Sequence, residues 1–196
     1  IHRVPEFLSH ILERIDFGRD LHFHTQTTID TLDYSGSGLN AGSKVVFAAV
    51  GPKKRELATE LPAGLVLPRP FGVCKLALPG ILAVEAPPFT DAVAEAHAIE
   101  TWCRAVEAVD FSGIQLFVLC DDVGFTAANV NNFVWVTFTR SNPSHDVHGV
   151  RSFTEYKHWG CRGPLIIDAR KKPHHAPELV KMPEVEKRVD ALGAKG

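Results

Sequence analysis

The sequence predicts an α/β fold, a β-sheet flanked by helices, and three observations carry that prediction. Residues 114–120 are a short uninterrupted apolar run, the pattern of a strand buried on both faces. An apolar helical period over residues 91–109 leads directly into it. A second β-branched run, residues 80–86, stops at Pro87-Pro88. A helix feeding a buried strand is the repeating unit of layered α/β architecture.

From the amino terminus, Val4, Phe7, Leu8, Ile11, Leu12 and Ile15 recur at spacings of three and four behind Pro5, which predicts an amphipathic helix with proline in its first turn. Residues 20–43 are rich in Thr, Asp, Ser and Gly and read as irregular chain or a weak strand. Residues 44–50 read as a buried strand closed by Gly51-Pro52. Pro62, Pro68, Pro70 and Pro79 then permit only short extended pieces at an edge, because each proline removes a backbone donor. Thr90 is placed to cap a helix that starts at Asp91 and turns Val93, Ala96, Ile99, Trp102, Cys103, Val106 and Val109 to one face.

After the strand at 114–120 come Asp121 and Asp122. Residues 129–140 are ambiguous by pattern: Val130, Phe133, Val134 and Phe138 fit a helix, whereas Val-Trp-Val-Thr-Phe-Thr has strand propensity. Residues 146–150 and 165–168 are short strand candidates, and a last helix is predicted over 183–192 after a tail rich in Lys, His and Pro.

The 196 residues are 45% hydrophobic and 22% charged with a formal net charge of −2, ordinary for one domain with a real core. No block of like charge suggests a nucleic-acid partner. No apolar run approaches the ~20 residues that cross a bilayer. The opening Ile-His-Arg-Val-Pro has no initiating Met and no signal pattern, and reads as an interior piece of a longer chain. Cys74, Cys103, Cys120 and Cys161 form no CxxC pair, which points to a reduced, cytoplasmic setting.

Several groups are candidates for chemistry. The segment from Gly36 through Gly38 to Gly42 superficially has the glycine content of a phosphate loop, but the spacing is wrong and a turn is the better reading. His22 with His24, His145 with His148, and His174 with His175 could supply imidazoles to a metal, yet none has zincin spacing, and solvated or hydrogen-bonded histidine is the better reading. Asp121 and Asp122 stand at a strand's carboxyl end, where they could bind a cation or act as acid and base, although capping the next turn is favoured. No G-x-S-x-G elbow and no Cys/His signature suggests a hydrolase. From the residues alone no catalytic set and no metal set emerges.

The run Ile-Gln-Leu-Phe-Val-Leu-Cys-Asp-Asp-Val from residue 114, followed by Asn-Asn-Phe-Val-Trp-Val-Thr-Phe-Thr-Arg-Ser-Asn-Pro-Ser-His-Asp-Val from residue 131, resembles the carboxyl-terminal domain of the UbiD family. This is the family of the 3-octaprenyl-4-hydroxybenzoate decarboxylases of ubiquinone biosynthesis and relatives such as phenylphosphate carboxylases. Asp121, Asp122, Trp135, Thr139, Arg140, Pro143 and Asp146 fall on the family's pattern, as do residues 163–171 and 28–46. The resemblance implies a mixed β-sheet flanked by helices, and it implies that residues 129–140 are helical with Trp135 in the core.

It also implies a division of the chain: 1–43, a helix and linker from a preceding domain; 44–170, the α/β domain; 171–196, a tail with a short helix. Family chemistry uses prenylated FMN with a divalent metal, manganese, and potassium to carboxylate or decarboxylate an aromatic or unsaturated acid. The cofactor and a Glu-Arg-Glu proton network are implied to belong to an amino-terminal flavin-binding domain absent from these residues, so no cofactor is expected on this chain alone. What remains here is dimerisation, through Pro87 to Phe89 and the tail around Leu179 and Met182, and part of the substrate pocket. By motif match Phe71, Phe153 and Glu155 take substrate-lining positions, although Glu155 stands where an apolar side chain is implied and core packing explains Phe71 and Phe153 equally well. The alternative is a non-catalytic assembly subunit of a carboxylase complex.

Overall fold

The computed structural model describes residues 3–30, 35, 36, 38–176 and 182–194. Helix α1 (Val4–Leu12) leads into strand β1 (Leu21–Thr27), which pairs antiparallel with β2 (Gly42–Phe47). Strands β3 (Cys74–Leu78) and β4 (Ile81–Glu85) form a hairpin, and helix α2 (Ala92–Val106) crosses over to β5 (Leu116–Cys120). Short α3 (Val123–Thr126), α4 (Val130–Thr139) and short α5 (Pro143–Asp146) precede β6 (Val147–Gly149). The hairpin β7 (Ser152–Glu155) and β8 (His158–Cys161), strand β9 (Leu165–Asp168) and helix α6 (Pro183–Gly193) complete the order.

The main sheet is mixed, in the order β3-β4-β5-β9-β6, with β4, β5 and β9 parallel and the two edges antiparallel. Its strands alternate between two apolar layers. Ile81, Ala83, Leu116, Val118, Leu165 and Ile167 face one layer together with Leu12, Ile15, Phe17, Leu21, Phe133 and Val136. Leu82, Val84, Phe117, Leu119 and Ile166 face the other, against Ile99, Trp102, Cys103 and Val106 of α2. Burial on both faces is why these strands read as continuous apolar runs and not as alternations. The Trp102 ring stands edge-on to Phe71 and Phe117, with centroids 5.1 and 5.8 Å away, and its indole N–H donates to the Pro68 carbonyl at 2.8 Å.

Several sequence expectations shift. The cap of α2 is Asp91, whose carboxylate accepts from the Val93 and Ala94 amides, and Thr90 instead donates to Glu95; Val93 faces solvent. The strand expected at 44–50 begins at Gly42 and ends at Phe47, and its partner β1 lies in the stretch read as irregular or weakly extended. The β1–β2 pair therefore spans the expected boundary at 43, and Leu21 of β1 is buried with the central strands. Asp146 ends a helical turn and does not begin a strand.

Residues 129–140 are helical: the Asn129 side chain accepts from the Asn132 amide, and Phe133, Val136 and Thr137 are buried. The expectation of a core Trp135 is wrong, since its side chain is 50% exposed and Phe138 is 53% exposed. Helix α4 is anchored through the i, i+3, i+4 set that starts at Phe133, which turns position 135 outward. Trp135 covers the surface instead, with the Arg140 guanidinium 4.7 Å above its ring and Phe125 edge-on at 6.1 Å. No described helix is long and apolar enough to cross a membrane.

Candidate functional site

The parallel strands β4, β5 and β9 bring their carboxyl ends to one edge, the place where open α/β sheets hold ligands. Of the two aspartates singled out there, Asp122 caps α3 by accepting the Phe125 amide at 2.8 Å. Asp121 lies 3.2 Å from Arg140 and accepts the Lys171 amide at 2.9 Å. Both do structural work, as capping and pairing predict.

Just past β9 sits a buried ionic cluster, whose Asp146, Asp168 and Arg170 fall in stretches on the family pattern without any site role having been read for them. Arg170 is fully buried; its Nε and Nη2 donate to the two oxygens of Asp168 at 2.9 and 2.8 Å, and its Nη1 donates to Glu95 and to the Pro87 carbonyl. The Lys172 ammonium donates to the Asp168 and Arg140 carbonyls at 2.9 and 3.1 Å and lies 3.3 Å from Asp146. Burial pushes the Asp168 carboxyl up, but the Arg170 hydrogen bonds and the Lys172 and Arg170 charges outweigh it and hold the group below the usual range. At Asp146 burial prevails over Lys172, and its pKa is raised. Every charge here has a partner, so the cluster clamps the sheet edge to α2 and the tail and offers no free acid, base or nucleophile.

The three substrate-lining positions expected from the sequence fall in different places. Phe71 is buried against Trp102 in the α2 layer, its centroid 5.9 Å from the Arg170 guanidinium, with Phe89 at 5.5 Å on that same cation. Phe153 and Glu155 lie on β7, next to Arg162, whose guanidinium is 4.6 Å from the Phe153 centroid and 3.3 Å from the Glu155 carboxylate. The β7–β8 turn is made by Tyr156 and Lys157, both at positive φ (50° and 66°), the handedness a tight two-residue hairpin needs. On the other side, Gly160 is pressed against residues 17–18: an added Cβ would meet the Phe17 carbonyl oxygen at 2.8 Å. Beside this hairpin lies an open cleft of about 630 Å³, lined by Phe153 and by Arg19, Arg55, Arg151 and Arg162.

A second groove of about 590 Å³ gathers His22, His24 and His158 beside Tyr156 and Trp159. The His22 and His158 rings are 6.2 Å apart, and no group of three His, Cys, Asp or Glu among the described residues can hold a metal. His145 hydrogen-bonds Ser144, and burial lowers the pKa of His148. His175 accepts the Lys172 amide, and its pKa falls to about 4 through burial and the neighbouring Lys172 charge. At the glycine-rich stretch, the space a Cβ on Gly42 would need is filled by Ile29. All four cysteines are free thiols, and burial pushes Cys103 and Cys161 up to about 12, far from a reactive thiolate.

Residues 1–49 match the family model described as the 3-octaprenyl-4-hydroxybenzoate carboxy-lyase C-terminal domain. The chain is 31% identical over 191 residues to a Chlamydia pneumoniae protein named as a subunit of 4-hydroxybenzoate decarboxylase, a match covering 95% of this chain and 30% of that protein. Over residues 1–49 the chain is thus similar to the UbiD family's carboxyl-terminal domain. An uncharacterized Chlamydia trachomatis protein is 32% identical over 182 residues, 91% of this chain and 29% of its own length. The chain thus spans about three-tenths of the length of these relatives. A solved vanillic acid decarboxylase of Sedimentibacter hydroxybenzoicus is similar at 17% identity and TM-score 0.33, over 57% of this chain and 26% of that one, a likeness too distant to bear on the site.

The segment matched by the UbiD model contains α1, β1 and β2, which bury Leu12 and Leu21 in the layer beneath β5 and β9 and supply one wall of each cleft through Phe17 and His22. Arg55 and Arg151 carried no signal in the sequence, because isolated basic residues in loops have neither periodicity nor spacing to distinguish them from solvated charge, and the family pattern over residues 163–171 gave Arg170 no role. Only the Lys-rich character of the tail hinted at Lys172.

Proposed function

We propose that this chain is the carboxyl-terminal part of a UbiD-type carboxylase or decarboxylase of the cytoplasm, acting on an aromatic or unsaturated carboxylic acid. In this reading it contributes a dimer contact and part of the substrate pocket, while prenylated FMN, manganese and potassium are held by an amino-terminal half. The observation that carries the reading is the alignment across 95% of the chain with a protein named as a 4-hydroxybenzoate decarboxylase subunit, together with the UbiD match over residues 1–49. The described residues do not fit the cofactor's metal: no group of three His, Cys, Asp or Glu that could hold an ion occurs among them.

Support for a subunit contact comes from α6. Met182, Val185, Val189 and Leu192 recur at helical spacing and are all at least 46% exposed, and no residue of this helix is buried. Leu179 lies outside the described residues, and Phe89 is half-buried against Arg170 and Lys172. An exchanged tail that buries this stripe on a neighbour suits a two-fold dimer.

A second reading, a non-catalytic assembly subunit, draws on the complete internal pairing of the charges at the sheet edge. Co-production with the segment encoded upstream separates the two. Release of carbon dioxide from 4-hydroxybenzoate or a related acid, or exchange with labelled bicarbonate, supports the enzyme. A stable but inactive assembly across a panel of such acids leaves the assembly reading. Sedimentation equilibrium of the chain and of a version ending at Ala176 tests the contact: a dimer that dissociates on truncation is expected, and a monomer in both refutes it.

A further inference from the structure

The cleft beside Phe153 differs from the rest of the molecule in how its cations are answered. Of its four guanidinium groups, Arg19 is paired with Asp20 at 2.6 Å and Arg162 with Glu155 at 3.3 Å. The other two have no such partner: no carboxylate of a described residue lies within 4.0 Å of Arg55 or Arg151. Arg55 is half-buried and uses one nitrogen, Nη1, to donate to the Leu12 and Ile15 carbonyls at 2.7 Å each. That leaves its Nη2 and Nε without an acceptor among the described residues. Burial pulls its pKa down, the sign of a cation whose lost hydration is not made good, and Asp16, the one carboxylate in the cleft lining, opposes this only from a distance.

Arg151 is presented from a backbone held at φ 54°, in the left-handed region that only a constrained turn imposes on a non-glycine residue. Its guanidinium has one long contact, 3.4 Å to the Arg162 carbonyl. A guanidinium is a planar fork that matches the two oxygens of a carboxylate or phosphate, and such a bond strengthens where water is partly excluded. The volume, about 630 Å³, accommodates a small molecule, and the Phe153 ring supplies an apolar wall.

We propose that this cleft is an oxyanion-binding site in which Arg55 and Arg151 hold a phosphate or carboxylate group beside Phe153. The assignment rests on the unanswered cations and does not depend on the family reading. Calorimetric titration of the full chain with inorganic phosphate and with benzoate at low ionic strength tests it. Saturable binding at one site is expected; phosphate alone identifies a phosphoryl ligand, benzoate alone a carboxylate backed by an aryl group, and both the shared oxyanion chemistry. Arg151→Ala should weaken binding about tenfold, the loss of one charge-assisted pair of bonds. Arg104→Ala, an exposed arginine on α2, should leave it unchanged. Arg55→Lys keeps the charge and loses the fork, and should also weaken binding if circular dichroism shows it folded; if it does not fold, Arg151→Ala decides. Absence of saturation with both probes, or equal titration by the parent, Arg151→Ala and Arg104→Ala chains, overturns the proposal.

Discussion

Two groups of arginines in this chain meet opposite fates. At the end of β9, Arg170 is fully buried and its donors are taken up by Asp168, Glu95 and a carbonyl. In the cleft beside Phe153, Arg55 is half-buried and Arg151 exposed, and no carboxylate of a described residue lies within 4.0 Å of either. A cation removed from water must be matched completely or the fold fails, whereas a cation at a cleft edge can remain unmatched until a ligand arrives. Saturation therefore marks Arg170 as architecture, and incompleteness marks the cleft as the place where binding chemistry is still open.

The comparison breaks most visibly at Asp168. Asp168→Ala strips two hydrogen bonds from a buried guanidinium and should cost about 3–5 kcal/mol in urea unfolding. A loss below about 1 kcal/mol would show that Glu95 alone satisfies Arg170 and that the cluster is no clamp.

Acid sharpens the same contrast from a second direction. The unfolded chain protonates His175 near its ordinary 6.5, while the folded chain holds that pKa down at about 4, so the unfolded state binds the extra proton in this window. Stability should fall as pH drops from 6.5 toward 4, with the lowered pKa of half-buried His148 acting in the same sense. Asp168, lowered in the fold, adds a loss at still lower pH, as it protonates and releases Arg170. Asp146, raised in the fold, opposes this by gaining its proton more readily when folded. Urea midpoints at pH 7, 5.5 and 4.5 should decline, and His175→Asn should flatten part of the decline; a level profile in the parent chain contradicts the half-buried neutral imidazole.

Smaller effects belong to the surface. Trp135→Ala should cost under about 1 kcal/mol, because the side chain is half exposed and gives up only the Arg140 and Phe125 contacts. Trp102→Ala, in the sealed α2 layer, should cost about 3–5 kcal/mol. Equal costs for the two tryptophans would mean that something covers α4. The smallest change is expected at Arg151→Ala, within about 0.5 kcal/mol of the parent chain in chemical denaturation, since the one side-chain hydrogen bond it makes among the described residues is long. A larger loss would make Arg151 a structural arginine like Arg170.

What the sequence determined by itself was whatever depends on local repetition. The apolar runs at β4, β5 and β9 and the period of α2 were legible because burial on both faces, or along one helical stripe, leaves its mark on consecutive residues. Asp122 as a cap was legible for the same local reason. For residues 129–140 the pattern was balanced, and family likeness supplied the helix but misplaced Trp135, since the register of a helix on a sheet is chosen by the residues that fit the layer below. The β1–β2 pair was obscured because its two strands are half exposed and belong to a separate small sheet. The ionic clamp and the arginine cleft were decided by tertiary structure alone. Their charges come from positions as far apart as Glu95 and Arg170, or Arg19 and Arg162, and whether a charged side chain ends up paired, buried or unanswered is a property of the neighbours folding brings to it.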